Sequence, residues 1–456
     1  MPENGTLEPP SSRFASEQNS LLDGSDSGRD RAPFRAGSGL AVTFSSLRHR
    51  NYRLYFFGQL ISLMGTWMQS TAVSWLAFKL TGLSEWPALL VTASIVPTFF
   101  FGVWGGALAD RLPKRTLIFW TQAAFLVLAI VLAGLAYSQE ITPWQLLVIS
   151  ALGGLVQAVD LPARLAFVMD LAGREDLMNA VALNSLLFNV ARALGPAVAG
   201  ILLRFYEPWT CFLANGLSYL AVLWALALID VSGSTRSNEK HSGISSLLHG
   251  FAYLANHREL MFLFLLATTT TLFGWPFVAL LPALAHHQLH SQEQGYSLML
   301  SATGIGALAA AVTLATIGSI ERRATMIWLG VLLISSGLVV LSFAHLLPLA
   351  VAACGIIGFG LILFLATVQS VIQLGTSDHN RGRVMGIWAM ALSGALPLGT
   401  WLAGRSADHW NESLVIRWLG CTCALSALLL LAIFRQTRPE YCQSSLPSPS
   451  RLGDDG

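Results

Sequence analysis

The chain has 456 residues, of which 54% are hydrophobic and only 11% charged, with a net charge of +2. Soluble domains carry about 25% charged residues, so a water-soluble fold of this size could not cover its apolar surface, and so small a charge gives no footing for nucleic acid. The five cysteines show no disulfide or zinc spacing and are read as free thiols, so neither a metal nor a cofactor is expected.

Residues 1–43 are rich in Ser, Gly, Pro and charge and hold no apolar run of signal-peptide type. They are expected to form a disordered tail, as is 436–456. Between the tails, twelve apolar runs are long enough to cross a bilayer: 54–79, 87–109, 116–137, 144–169, 179–203, 209–229, 260–285, 296–318, 325–345, 347–373, 384–404 and 413–434. The polar break from Val231 to Glu259 divides them six and six. This predicts an all-α polytopic membrane protein built as two six-helix bundles, 44–230 and 259–435. They are joined by a linker, 231–258, whose Ile244, Leu247, Leu248, Phe251 and Leu254 recur at helical spacing and predict an amphipathic helix on the membrane surface.

Lys and Arg fix the orientation. One set of loops and flanks holds sixteen of them and the opposite set only Lys79, Arg204, Arg405 and Arg417, which places both termini in the cytoplasm. Shifting the sequence by 204 residues superposes Gly102 on Gly306, Gly154 on Gly358, Gly195 on Gly399 and Gly200 on Gly404, as a repeat would.

Charge inside a span is costly and marks candidates for function. Asp160 and Arg164 stand four residues apart on one face of the fourth span, and Arg192 lies deep in the fifth. Two readings stand: a neutralised cluster pinning the fourth helix to the fifth, or a proton-coupling acid, Asp160, with Arg164 or Arg192 beside it. In the fifth span Pro196 removes a helical N–H and predicts a bend, and Gly195 and Gly200 permit a close helix approach. His286, His287 and His290 read as an interfacial loop and not as a metal site.

The segment GALADRLPKR, from Gly106 to Arg115, ends the second span. It resembles the loop between the second and third helices of major facilitator transporters, with Pro113 where Gly is usual. LRHRNYRLYFFGQLISLMGTWMQSTAVSWLAFKLTG (Leu47–Gly82), NVARALGPAVAG (Asn189–Gly200) and RGRVMGIW (Arg381–Trp388) resemble its enterobactin exporter-like and macrolide efflux branch. The second half's matching loop, GSIERR (Gly318–Arg323), lacks the acidic core.

The resemblance implies a secondary transporter of the inner membrane, a monomer exporting a small organic molecule, siderophore-, macrolide- or drug-like, in exchange for protons. The alternatives are an uptake symporter or a lipid-moving carrier on the same fold. An enzyme or receptor has less support, since the chain shows no Walker loop, HExxH or GxSxG. The resemblance also makes Gly106, Asp110, Arg111, Lys114 and Arg115 a gate, with Asp110 capping a helix of the other half and Asp170 balancing Arg111 and Arg115. Helices one, four, seven and ten would line the cavity, which nominates Gln59, Trp67, Gln69, Trp275, Gln369 and Gln373.

Overall fold

The computed structural model describes residues 45–173, 176–229, 244–317 and 322–434. The two expected tails, Arg174 and Glu175, the first part of the linker (to residue 243) and the loop from Gly318 to Glu321 lie outside them. Among the described residues, a 3₁₀ turn at Ser45–Arg48 is followed by fourteen helices. The first six are α1 (Arg50–Thr81), α2 (Glu85–Arg111), α3 (Lys114–Tyr137), α4 (Pro143–Ala172), α5 (Leu177–Phe205) and α6 (Trp209–Leu228). The short α7 (Ile244–Asn256) precedes α8 (Arg258–Gly274), α9 (Phe277–His287), α10 (Gln292–Ile317), α11 (Arg323–Ser342), α12 (Leu347–Gly375), α13 (Asp378–Trp410) and α14 (Glu412–Phe434).

The breaks have local causes. Gly82 takes the left-handed φ of +68° that closes α1, its N–H reaching the Phe78 carbonyl at 2.7 Å. Thr142 and Gln145 form a reciprocal capping box that starts α4, with Pro143 in the first turn. Pro276 cannot donate, so the seventh span is split into α8 and α9 with Trp275 at the joint. In contrast α5 runs unbroken through Pro196, so the bend expected there does not interrupt the helix.

Counting α8 and α9 as one, eleven segments are long and apolar enough to cross a membrane. The twelfth, α1, is 32 residues long but dilutes its apolar residues with Gln, Ser and Thr. It packs against α5 and α6 like its neighbours.

Most packing runs within the first six helices and within the last seven: α2 on α4, α1 and α3 on α6, α10 on α12, α11 on α12 and α14. Only two long seams join these sets, α5 with α10 and α2 with α13. Glycine makes the tightest approaches. A Cβ at Gly154 would strike the Ser94 carbonyl, and one at Gly358 the Thr303 carbonyl, so the two shifted glycines serve equivalent α2–α4 and α10–α12 contacts. Gly195 and Gly399 likewise face α1 and α8, and Gly200 and Gly404 face α10 and α2. The fourth pairing fails: Gly102 meets open space, whereas Gly105, against Ala158, does in α2 what Gly306, against Gly355, does in α10.

The expected amphipathic helix exists as α7, but it lies on protein. Leu254 is fully buried, and Gly250 abuts Ile387 and Arg383 of α13. Of the stripe, Leu254 packs on protein and Phe251 is exposed, and the contact with α13 is one the sequence pattern does not display.

Candidate functional site

The α2–α13 seam differs from end to end. Near the start of α2, Asp408 accepts from the backbone N–H of Ser84 at 2.6 Å and of Glu85 at 3.0 Å, capping a helix of the other half with a carboxylate. Arg405 approaches Glu85 at 3.3 Å, Gly404 presses on Ala88 and Ser84, and Thr92 donates to the Pro397 carbonyl at 3.2 Å. Further along, a Cβ at Gly394 would lie 3.7 Å from the Phe99 ring. Beyond it Gly102 and Gly106 of α2 and Gly382 and Gly386 of α13 all face open space.

The α5–α10 seam follows the same gradient. Gly200 abuts Ser297 and Gly304 abuts Ala193 and the Arg192 carbonyl; these close contacts all lie in the second half of α5. On the tight side Trp75 stacks on Tyr296, Phe78 meets His286 and His287, and His287 Nδ1 lies 3.0 Å from Glu412. No three His, Cys, Asp or Glu converge into a metal site among the described residues. The structure is therefore sealed at one end and open at the other.

At the open end, the gate residues are arranged differently from expectation. Asp170 meets Lys114 at 2.8 Å, not Arg111 or Arg115. Arg115 instead donates to the Leu226 and Ala227 carbonyls at 2.8 and 3.3 Å, closing the C-terminus of α6. The reason is position: Lys114 and Arg115 are the first two residues of α3, about 100° apart around its axis, so they reach different neighbours. Arg111 is exposed and Asp110 half-buried at the end of α2. The cross-half capping expected of Asp110 is made here by Asp408, at the opposite end. Asp408 is not among the residues the sequence singles out; its one local signal is that it is an acid four residues after Gly404, at the end of a span.

Inside the first six helices Asp160 is 1% exposed. Thr121 and Gln122 of α3 donate to Oδ1 at 2.6 and 3.0 Å, and Arg164 Nε lies 2.7 Å from Oδ2. That contact is an ion pair by distance, with the N–H off the hydrogen-bond line. The cluster thus ties α4 to α3. Arg192 is not part of it: its partner is Asn189, at 3.0 Å on its own helix, so the expected pinning of α4 to α5 by charge is absent.

The six proposed cavity residues divide. Gln69 turns into the first half, where its Oε1 accepts from Asn215 at 2.8 Å, and Gln59 is buried with neither amide atom paired. Gln59 lines no open cavity, and the buried polar layer on α6 gives half-buried Gln69 its partner. Trp67 packs on Gly195 and its ring meets Phe188 edge-on at 5.6 Å. Trp275, Gln369 and Gln373 are half-buried.

Helices in two sets, joined by two seams closed at one end only, define a transporter of the major facilitator superfamily. Within it, the chain belongs to the transmembrane secretion effector family, whose profile matches residues 41–451. It is 25% identical to the staphyloferrin A transporter of Staphylococcus aureus over 86% of this chain and 98% of the relative. It is 26% identical to the multidrug efflux pump Tap of Mycobacterium tuberculosis, over 78% and 86%. To macrolide efflux protein A of Streptococcus pyogenes it is 21% identical, over 80% and 93%.

Among solved structures, the fold matches that of the nucleoside transporter NupG with a TM-score of 0.66 at 14% identity, covering 84% of this chain and 99% of that one. A bacterial homologue of the lysosomal transporter Spinster, solved inward-facing and unoccupied, gives 0.66 at 12%, covering 84% and 97%. The chain is a multi-pass membrane protein, and a lipid bilayer and a small-molecule substrate are its partners.

Proposed function

We propose that the protein exports a small organic molecule by alternating access, in exchange for protons. The observation that carries this reading is the asymmetry of the two seams: tight contacts and a capping carboxylate at one end, open space around Gly106 and Gly386 at the other. With both termini cytoplasmic, as the sixteen-to-four distribution of Lys and Arg supports, the described state is inward-open. The named efflux relatives support export over uptake.

The Asp160–Arg164 pair is the proposed coupling element. It is sealed in this state, and protonation of Asp160 would release Arg164 and loosen α4 from α3. Uptake into inverted membrane vesicles of siderophores, macrolides and dyes, with and without an imposed proton gradient, tests the reading. Gradient-dependent accumulation is expected for at least one compound, and Asp160→Asn should abolish its response to the gradient. Full gradient-driven uptake by Asp160→Asn would remove Asp160 from the mechanism. Transport in the opposite direction would favour an uptake symporter.

A further inference from the structure

Arg192 carries a buried charge that no carboxylate answers. It is 9% exposed; one terminal nitrogen donates to Asn189, and Nε has no partner. The elements packed against α5 are α1, α4, α6, α10 and the 3₁₀ turn. Neither α1, α6, the turn nor α5 itself contains an acid. On α4, Asp160 is held by Arg164, Thr121 and Gln122, and Asp170 by Lys114. On α10 the one acid, Glu293, stands eleven residues before Gly304, about 16 Å along the helix from the level of Arg192. A buried guanidinium without a counter-ion is held at a cost to stability, as is usual where a charge awaits a ligand.

Its surroundings fit a ligand with an apolar body. Trp67 covers α5 on both sides of Arg192, with its Cβ against Gly195 and its ring against Phe188. Phe188 is exposed, so this aromatic pair, one turn from Arg192, has a face free for a ligand. Across the seam, Ser301 of α10 has a buried hydroxyl with no partner, one turn from Gly304. An arginine fork takes a carboxylate in bidentate fashion, and flat apolar groups stack on indole.

From this we infer that Arg192 is the anion-binding residue of the transport site, receiving the carboxylate of an organic anion whose flat apolar part lies on Trp67 and Phe188. The inference rests on the transport reading but not on the direction or the coupling ion. A matched probe pair isolates the charge: 2-naphthoate and its neutral isostere 2-naphthamide, titrated calorimetrically into the full-length protein in detergent.

The wild type is expected to bind 2-naphthoate at least ~10-fold more tightly than the amide, the scale of one charge-assisted contact. Arg192→Gln should erase that preference, Arg192→Lys should keep part of it, and Trp67→Ala should weaken both probes alike. A wild type that shows no preference, or an Arg192→Gln protein that retains it, overturns the assignment. Arg192→Lys guards against a folding defect, because a merely structural arginine would not make charge selectivity track the side chain. Binding is read at equilibrium, so failure of export in vesicles leaves this result standing, and the reverse also holds.

Discussion

The two ends of the α2–α13 seam use the same ingredients, glycines and a carboxylate at a helix end, yet one is shut and the other open. At the shut end Gly404 lets α13 sit on Ala88, and Asp408 spends both oxygens on the N–H groups that begin α2. At the open end Gly106 and Gly386 have the space for such an approach, and Asp110 stands half-buried at the end of α2. Closure at the shut end is therefore a helix N-terminus capped by a carboxylate across a small-residue seam, and under the proposed alternating access only one end would hold such a cap at a time.

Four substitutions bear on that comparison, read by the labelling rate of a cysteine at Ser84, which is 3% exposed, in a background without the native thiols. The largest effect is expected from Gly404→Leu, whose side chain meets the backbone of Ser84 and Glu85; overpacking costs ~1–3 kcal/mol, so labelling should rise and transport fall at least ~10-fold. Asp408→Ala removes the cap, a loss of about 1–2 kcal/mol, and should speed labelling by ~5–30-fold.

Asp110→Asn acts on the other end and in the other direction. Weakening the alternative closure by ~0.3–1 kcal/mol should slow labelling by ~2–5-fold, and an unchanged rate would detach Asp110 from gating. The smallest change should follow Arg405→Ala. Its pair with Glu85 is 55% and 23% exposed, and such surface pairs contribute about 0–1 kcal/mol, many of them nothing measurable. A large effect there would move the lock from the cap to the ion pair.

Legibility in the sequence followed the range of the interaction. Span positions and the break before the third helix come from hydropathy and from Pro and Gly, and the structure has most span ends within a few residues; Val231 lies outside the described residues. The Asp160–Arg164 pair was readable because its members are four apart on one helix. What misled was any partner on another helix. Asp170 was matched to the wrong base, Gln69 was aimed at the cavity although Asn215 holds it, and Arg192 was joined to Asp160 although α5 turns it elsewhere. The repeat comparison failed only at Gly102, because α2 and α10 meet their neighbours at different registers.

By itself the sequence determined that the chain is a multi-pass helical protein of two similar halves, because apolar length and charge placement are set residue by residue along one chain. The tertiary structure decided which end is closed, which carboxylate caps a helix of the other half, and which buried charge is left without a counter-ion. Those depend on rotation and register between helices, and such geometry has no period in the sequence to reveal it.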